Sequence, residues 1–236
     1  MVKKAPQLIV ALDVPSLPEA LELREKLDSV VRYFKVGKEL FTAVGPEILQ
    51  KLAPARVFLD LKFHDIPKTV AGAVRAAARH GVAMVDVHAS GGKTMMTAAA
   101  AAAREAVGGA DRPLVLGVTV LTHLGDEDLE ALGFREKSRE QVLRLARLAA
   151  ESGLDGVVAS ALEGEAIREA LGDGLQILVP GVRPEWSKDR HDQKRVATPG
   201  DAARLGANYV VVGRAITLDP SPRAAAERIL EELSRA

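Results

Sequence analysis

Val57-Phe58-Leu59-Asp60-Leu61-Lys62-Phe63-His64-Asp65-Ile66-Pro67-Lys68-Thr69 reads as a strand that runs into a helix, with its charges at the junction. Side chains alternate across a strand with period two, so Asp60 and Lys62 face one way and Leu59, Leu61 and Phe63 the other. Pro67 suits the first turn of a helix, where a missing N–H costs nothing, and Thr69-Val70-Ala71-Gly72-Ala73-Val74 continues that helix. The group Asp60, Lys62 and Asp65 is therefore expected where a strand ends. An isolated Asp-x-Lys is first of all a surface ion pair. A strand covered on both faces has little use for two ionisable groups, because burying charge is costly unless it is paired, so the cluster reads as functional. An ammonium held between carboxylates keeps its proton, and a ligand that brings another negative charge there meets repulsion. That suits proton delivery to a carbanion, or a reaction that expels negative charge.

Outward from this stretch the same alternation of short apolar runs and amphipathic segments repeats. Strands are expected at 8–12, 33–36, 57–63, 83–88, 114–120, 156–159, 175–179 and 208–212. Between them, a helix opens at Ser16 or Pro18 and runs to Leu27. A second carries Leu40, Phe41, Ile48, Leu49 and Leu52 on one side, and a third carries Val70, Ala73, Val74, Ala77 and Ala78. The alanine run 98–103 is helical by propensity. Helical pieces follow over 126–152, 163–171 and 222–234. Strand–helix units repeated without a break in composition predict an α/β fold, a closed (β/α)8 TIM barrel forming one domain over residues 1–236, with a doubly wound open sheet as the alternative. Asp13, Lys35, Asp60, Lys62, Asp65, Asp86, His88 and Thr122 all fall at or just past the carboxyl ends of these strands, the rim where a barrel carries its site.

Composition bounds the ligands. With 32 basic and 32 acidic residues among 236, no nucleic-acid or membrane surface is indicated, and an anion must be held by a local cluster. Cysteine is absent, which excludes disulfides, thiolate metal sites and thiol nucleophiles. No run approaches membrane-spanning length, so a cytoplasmic protein is expected. The long irregular segment 180–195, rich in Gly, Pro and cations, fits a lid that closes on an anion. Gly213-Arg214 follows the eighth strand, where barrels often bind phosphate; with Arg183 and Gln193 on the preceding loop it forms a phosphate grip.

These motifs, in this order, resemble the orotidine 5'-phosphate decarboxylase family over essentially the whole chain. The likeness rests on Asp60-x-Lys62-x-x-Asp65-Ile66-Pro67-Lys68-Thr69, Ala11-Leu12-Asp13, Phe34-Lys35-Val36-Gly37, Val118-Thr119-Val120-Leu121-Thr122, Pro180-Gly181-Val182-Arg183 and Val212-Gly213-Arg214. Asp192-Gln193-x-Arg195 fits its bacterial branch. The resemblance implies decarboxylation of orotidine 5'-phosphate to uridine 5'-phosphate without a metal or other cofactor. Lys62 would protonate C6 of the pyrimidine, Asp60 would lie beside the substrate carboxylate, and Asp13 and Lys35 would bind ribose hydroxyls, with Lys35 also paired to Asp60. Thr122 would hold the base; Arg183, Gln193, Gly213 and Arg214 would hold the 5'-phosphate. The resemblance further implies a homodimer in which Asp65 and Thr69 serve the neighbouring subunit's site.

Other enzymes fit less well. The related branch resembling 3-keto-L-gulonate 6-phosphate decarboxylase shares Asp-x-Lys-x-x-Asp but uses magnesium and an acidic residue on the second strand, where Lys35 stands. An imine-forming aldolase needs a lysine of depressed pKa, the opposite of what flanking carboxylates produce. A non-catalytic phosphate-binding or assembly protein is a third class, which the fold alone does not exclude. Met95 and Met96 are expected to pack, His80 to sit at a helix end, His64 to pack under its loop, and His88 to lie near the rim. No role is assigned to His123.

Overall fold

A computed structural model describes residues 5–107, 111–187 and 197–236. Its strands are Gln7–Ala11 (β1), Tyr33–Val36 (β2), Arg56–Phe63 (β3), Met84–His88 (β4), Leu114–Val118 (β5), Gly156–Val158 (β6), Gln176–Val179 (β7) and Tyr209–Val212 (β8). Each pairs in parallel with the next, and β8 returns to β1 through Gln7↔Tyr209 to Val10↔Val212, which closes the barrel and eliminates the open sheet. Parallel neighbours need crossovers, and helices supply them.

Period-two alternation sorts the strand residues into two apolar layers. Leu8, Val10, Val57, Leu59, Val85 and Val87 face outward onto the helices, while Ile9, Ala11, Phe58, Met84, Leu116, Val118, Leu178 and Val211 fill the barrel interior. Each fully buried Val, Leu, Ile, Phe or Met among them contributes roughly 1.5–3 kcal/mol. The helix Pro67–Arg79 has proline in its first turn and buries Val70, Val74, Ala77 and Ala78. Gly92–Ala106 lies beside it, with Met95 and Met96 buried as expected for packing residues. Among the described residues no helix is long and apolar enough to cross a membrane.

Two departures from the expected elements have local causes. The single helix expected after β2 is two, Lys38–Val44 and Glu47–Lys51, because Gly45 turns left-handed at φ 78° just before Pro46. β3 does not alternate regularly to its end. Its register with β4 shifts between Leu59↔Val85 and Phe63↔Val87, and Lys62 within that shift has φ 53°. The shared direction expected of Asp60 and Lys62 is thus reached through a bulge rather than a regular pleat.

Candidate active site

The barrel mouth holds a cavity of about 310 Å³. One pleat above the apolar interior, the inward positions of three neighbouring strands are ionic: Lys35 follows Tyr33 on β2, Asp60 follows Phe58 on β3, and Asp86 follows Met84 on β4. Around the rest of the mouth the corresponding positions stay apolar, with Val118, Val158, Leu178 and Val211. The cavity therefore has a charged half and an apolar half. A flat ring can lie against the second while a charged substituent meets the first.

Acids and bases alternate through the charged half. Asp13 accepts a hydrogen bond from the Lys35 ammonium at 2.7 Å; Lys35 Nζ stands 3.4 Å from Asp60 Oδ2, and the Lys62 ammonium contacts Asp60 Oδ1. Lys62 Nζ is also 3.9 Å from Asp86 Oδ2, while the Lys62 backbone N–H donates to Asp86 Oδ1 at 2.8 Å. Burial opposes ionisation of Asp60, but the ammonium groups of Lys35 and Lys62 outweigh it and hold this carboxyl below the usual carboxylate range. Lys35 is likewise raised above the ordinary lysine value: burial works against its charge, and Asp60 and Asp13 more than compensate. Asp86 goes the other way. Only 1 % exposed, it is pushed well above the usual range by burial first and by the Asp60 charge second.

Six of the rim residues picked out in the sequence, Asp13, Lys35, Asp60, Lys62, Asp86 and Thr122, line this one cavity, and Arg183, Gly213 and Arg214 close its far side. Gly181, left-handed at φ 68°, turns the chain so that Val182 is buried and Arg183 reaches the cavity. Gln193 lies outside the described residues. Asp65 and Thr69 are not brought to this cavity. Both are exposed on the rim, with Asp65 Oδ1 accepting the Ile66 N–H at 2.6 Å and Ile66 itself 66 % exposed. His64 does not pack under its loop; it is exposed, with its ring centroid 5.3 Å from that of His88.

Two contributors had no assigned part. Asp86 stood among the rim charges without a role, although it follows Met84 in the same phase as Lys35 follows Tyr33. Gly37, which the sequence presents only as the end of Phe34-Lys35-Val36-Gly37, faces the ion pairs: a Cβ there would lie 2.9 Å from Lys35 Nζ and 3.0 Å from Asp13 Oδ1. Any side chain would push the pair apart, and a sequence gives no sign of such a contact across elements.

Comparison with known proteins places these features in one lineage. The model of the orotidine 5'-phosphate decarboxylase / HUMPS family matches residues 6–229. The chain is 53% identical over 232 residues to an orotidine 5'-phosphate decarboxylase of Moorella thermoacetica, covering 96% of this chain and 92% of the relative. It is 49% identical over 234 residues to that of Saccharophagus degradans, covering 98% and 96%. The crystal structure of orotidine 5'-phosphate decarboxylase from Lactobacillus acidophilus superposes with a TM-score of 0.87 at 38% identity, over 98% of this chain and 99% of that one.

Proposed function

The chain belongs to the orotidine 5'-phosphate decarboxylase / HUMPS family, and from that premise we propose how its cavity divides the work of the reaction. The protein is a decarboxylase that converts orotidine 5'-phosphate to uridine 5'-phosphate and carbon dioxide, the last step of de novo pyrimidine nucleotide formation. The observation that carries the assignment of roles is the Lys62 ammonium, held against Asp60 in the charged half of the mouth and opposite an apolar half fit for a pyrimidine.

The base lies against Val118, Val158, Leu178 and Val211 with its carboxylate turned toward Asp60. Departure of carbon dioxide leaves the electron pair of the broken C–C bond on C6. The ammonium of Lys62 stabilises that charge and gives C6 its proton, so one proton is consumed per turnover and Lys62 is recharged from solvent. Asp13 and Lys35 take the ribose hydroxyls, and Thr122 takes the base. Arg183, Arg214, the Gly213 backbone and Gln193 take the phosphate, whose binding energy is available to orient and desolvate the reacting end. Asp13, Lys35, Asp60 and Lys62 already form one chain of ion pairs, which holds the charges in place before substrate arrives.

We assign Asp65 and Thr69 to the neighbouring site of a cytoplasmic homodimer. Their exposure, their absence from their own cavity's lining and the exposed Ile66 beside Asp65 support this reading. The sugar-phosphate branch within the same family is disfavoured by Lys35, an ammonium wedged between Asp13 and Asp60 where a magnesium ion would need oxygen ligands.

The test is Lys62→Ala. Turnover should fall by about 10²- to 10⁴-fold or more, the range of a lost general acid, while calorimetric affinity for uridine 5'-phosphate stays close to that of the wild type because the phosphate end supplies it. A variant that keeps most of its turnover would remove Lys62 from the acid role.

A further inference from the structure

Lys62 has the backbone conformation that residues with a side chain seldom adopt, φ 53°, and neighbours must hold it there. It lies in the irregularity of β3, where Asp60, Leu61 and Lys62 span the interval that a single β4 residue, Asp86, spans opposite them. In a regular strand, side chains two residues apart on one face stand about 6.6 Å apart along the chain. Here β3 bunches instead, and the Lys62 ammonium comes back onto Asp60. Asp86 touches the lysine at both ends. Its Oδ1 accepts the Lys62 backbone N–H at 2.8 Å, and its Oδ2 stands 3.9 Å from Lys62 Nζ. That second oxygen is buried.

We propose that Asp86 is a positioning residue for decarboxylation: it pins Lys62 in its left-handed bulge and thereby sets where the ammonium stands against Asp60 and against C6 of the bound base. The inference rests on the reading of Lys62 as the acid. What the site needs from Asp86 is the oxygen that takes the lysine N–H. Burial and the facing Asp60 carboxylate oppose a charge on Asp86 and outweigh the Lys62 ammonium, which favours one. A carboxamide is nearly the same shape as a neutral carboxyl and keeps the acceptor. A leucine is of similar size and lacks it, which leaves the part-buried Lys62 N–H unpaired and the bulge unsupported.

Asp86→Asn and Asp86→Leu separate these alternatives. The asparagine variant should keep kcat within about fivefold of wild type, and the leucine variant should lose about 10²-fold in kcat, the scale of a reacting group displaced by an ångström. KM and affinity for uridine 5'-phosphate should move far less than kcat in the leucine variant, a split that general loosening of the fold would not give. Should the leucine chain fail to fold, Asp86→Ala carries the same comparison. A crystal structure of the variant used should show Lys62 out of the left-handed region. Wild-type kcat in the leucine or alanine variant, an unmoved Lys62 backbone, or an asparagine variant as impaired as leucine would each overturn the proposal. Its failure is distinct from that of the acid assignment. Turnover surviving Lys62→Ala removes the acid whatever Asp86 does, whereas a dead Lys62→Ala beside a fully active Asp86→Leu removes only the positioning role.

Discussion

His88, at the end of β4, is half-buried beside His64; its pKa is pushed down to about 4 by burial first, then by the charge of His64 and next by the Lys62 and Lys38 ammonium groups, with Asp60 opposing them. The unfolded chain takes up a proton at this histidine near its ordinary value of 6.5, and the folded chain does so only near 4. Between those limits the unfolded state binds more protons, so stability drains away as pH falls from about 6.5 to about 4. His88→Gln should therefore show a shallower decline of Tm over that window by calorimetry, with the two curves parallel above it. Curves that stay parallel throughout would mean that His88 titrates alike in both states. The charged half of the mouth was largely legible at this scale, because Asp13, Lys35, Asp60 and Lys62 stand out as ionisable residues at the ends of apolar runs. The left-handed backbone of Lys62 was not legible, since it lies in an irregularity of the pairing with a strand more than twenty residues away. Nor was the tight approach of Gly37 to Lys35 and Asp13.

Elements were legible wherever apolar runs were short and flanked by breaks, and every strand lies within two residues of its expected bounds. The helix after β2 was read across Gly45-Pro46, a pair that punctuates chains; the spacing of Leu40, Phe41, Ile48 and Leu49 carried on as if the break were absent. At the amino end of the barrel, opposite the cavity, one side chain ties several elements together. Arg168, on the helix Gly164–Leu171, donates to the carbonyls of Gly172 at 3.0 Å, Leu175 at 2.6 Å and Gly206 at 2.9 Å, and to the Asn208 side chain. Asn208 Oδ1 in turn accepts the Ile177 N–H at 2.8 Å. The approaches to β7 and β8 are thus locked to the helix before them. Arg168→Ala leaves part-buried carbonyls without donors and should cost about 3 kcal/mol, a Tm lower by about 6–12 °C at this chain length. Arg168→Lys should recover little of it, because a single ammonium cannot serve the forked set of acceptors. Turnover per folded molecule should hold in both variants, and a lysine variant as stable as wild type would show that charge rather than the fork matters.

For the whole molecule the question is what completes the mouth. The signature that opens on Asp60 is divided by its own fold: Asp60 and Lys62 enter the cavity from β3, while Asp65 and Thr69, beyond the strand's end, stand exposed on the rim and outside the cavity lining. In an isologous two-fold pair, residues turned away from one site can reach the other, and each reaches across in the same way. Lys62→Ala and Asp65→Ala should then each be severely impaired alone and complement each other when mixed. In a mixed dimer one site collects both substitutions, and the other pairs an intact Lys62 from one chain with an intact Asp65 from its neighbour. Equal amounts that exchange subunits at random make half of the dimers mixed, each with one working site of two, so activity should return to about a quarter of wild type. Co-expression of differently tagged chains, with the mixed species isolated by both tags, gives a cleaner reading of about half. Isolated mixed dimers with no activity above that of the parents would place Asp60, Lys62 and Asp65 in one chain's site. Pairing of chains would then stabilise the fold without completing the catalyst.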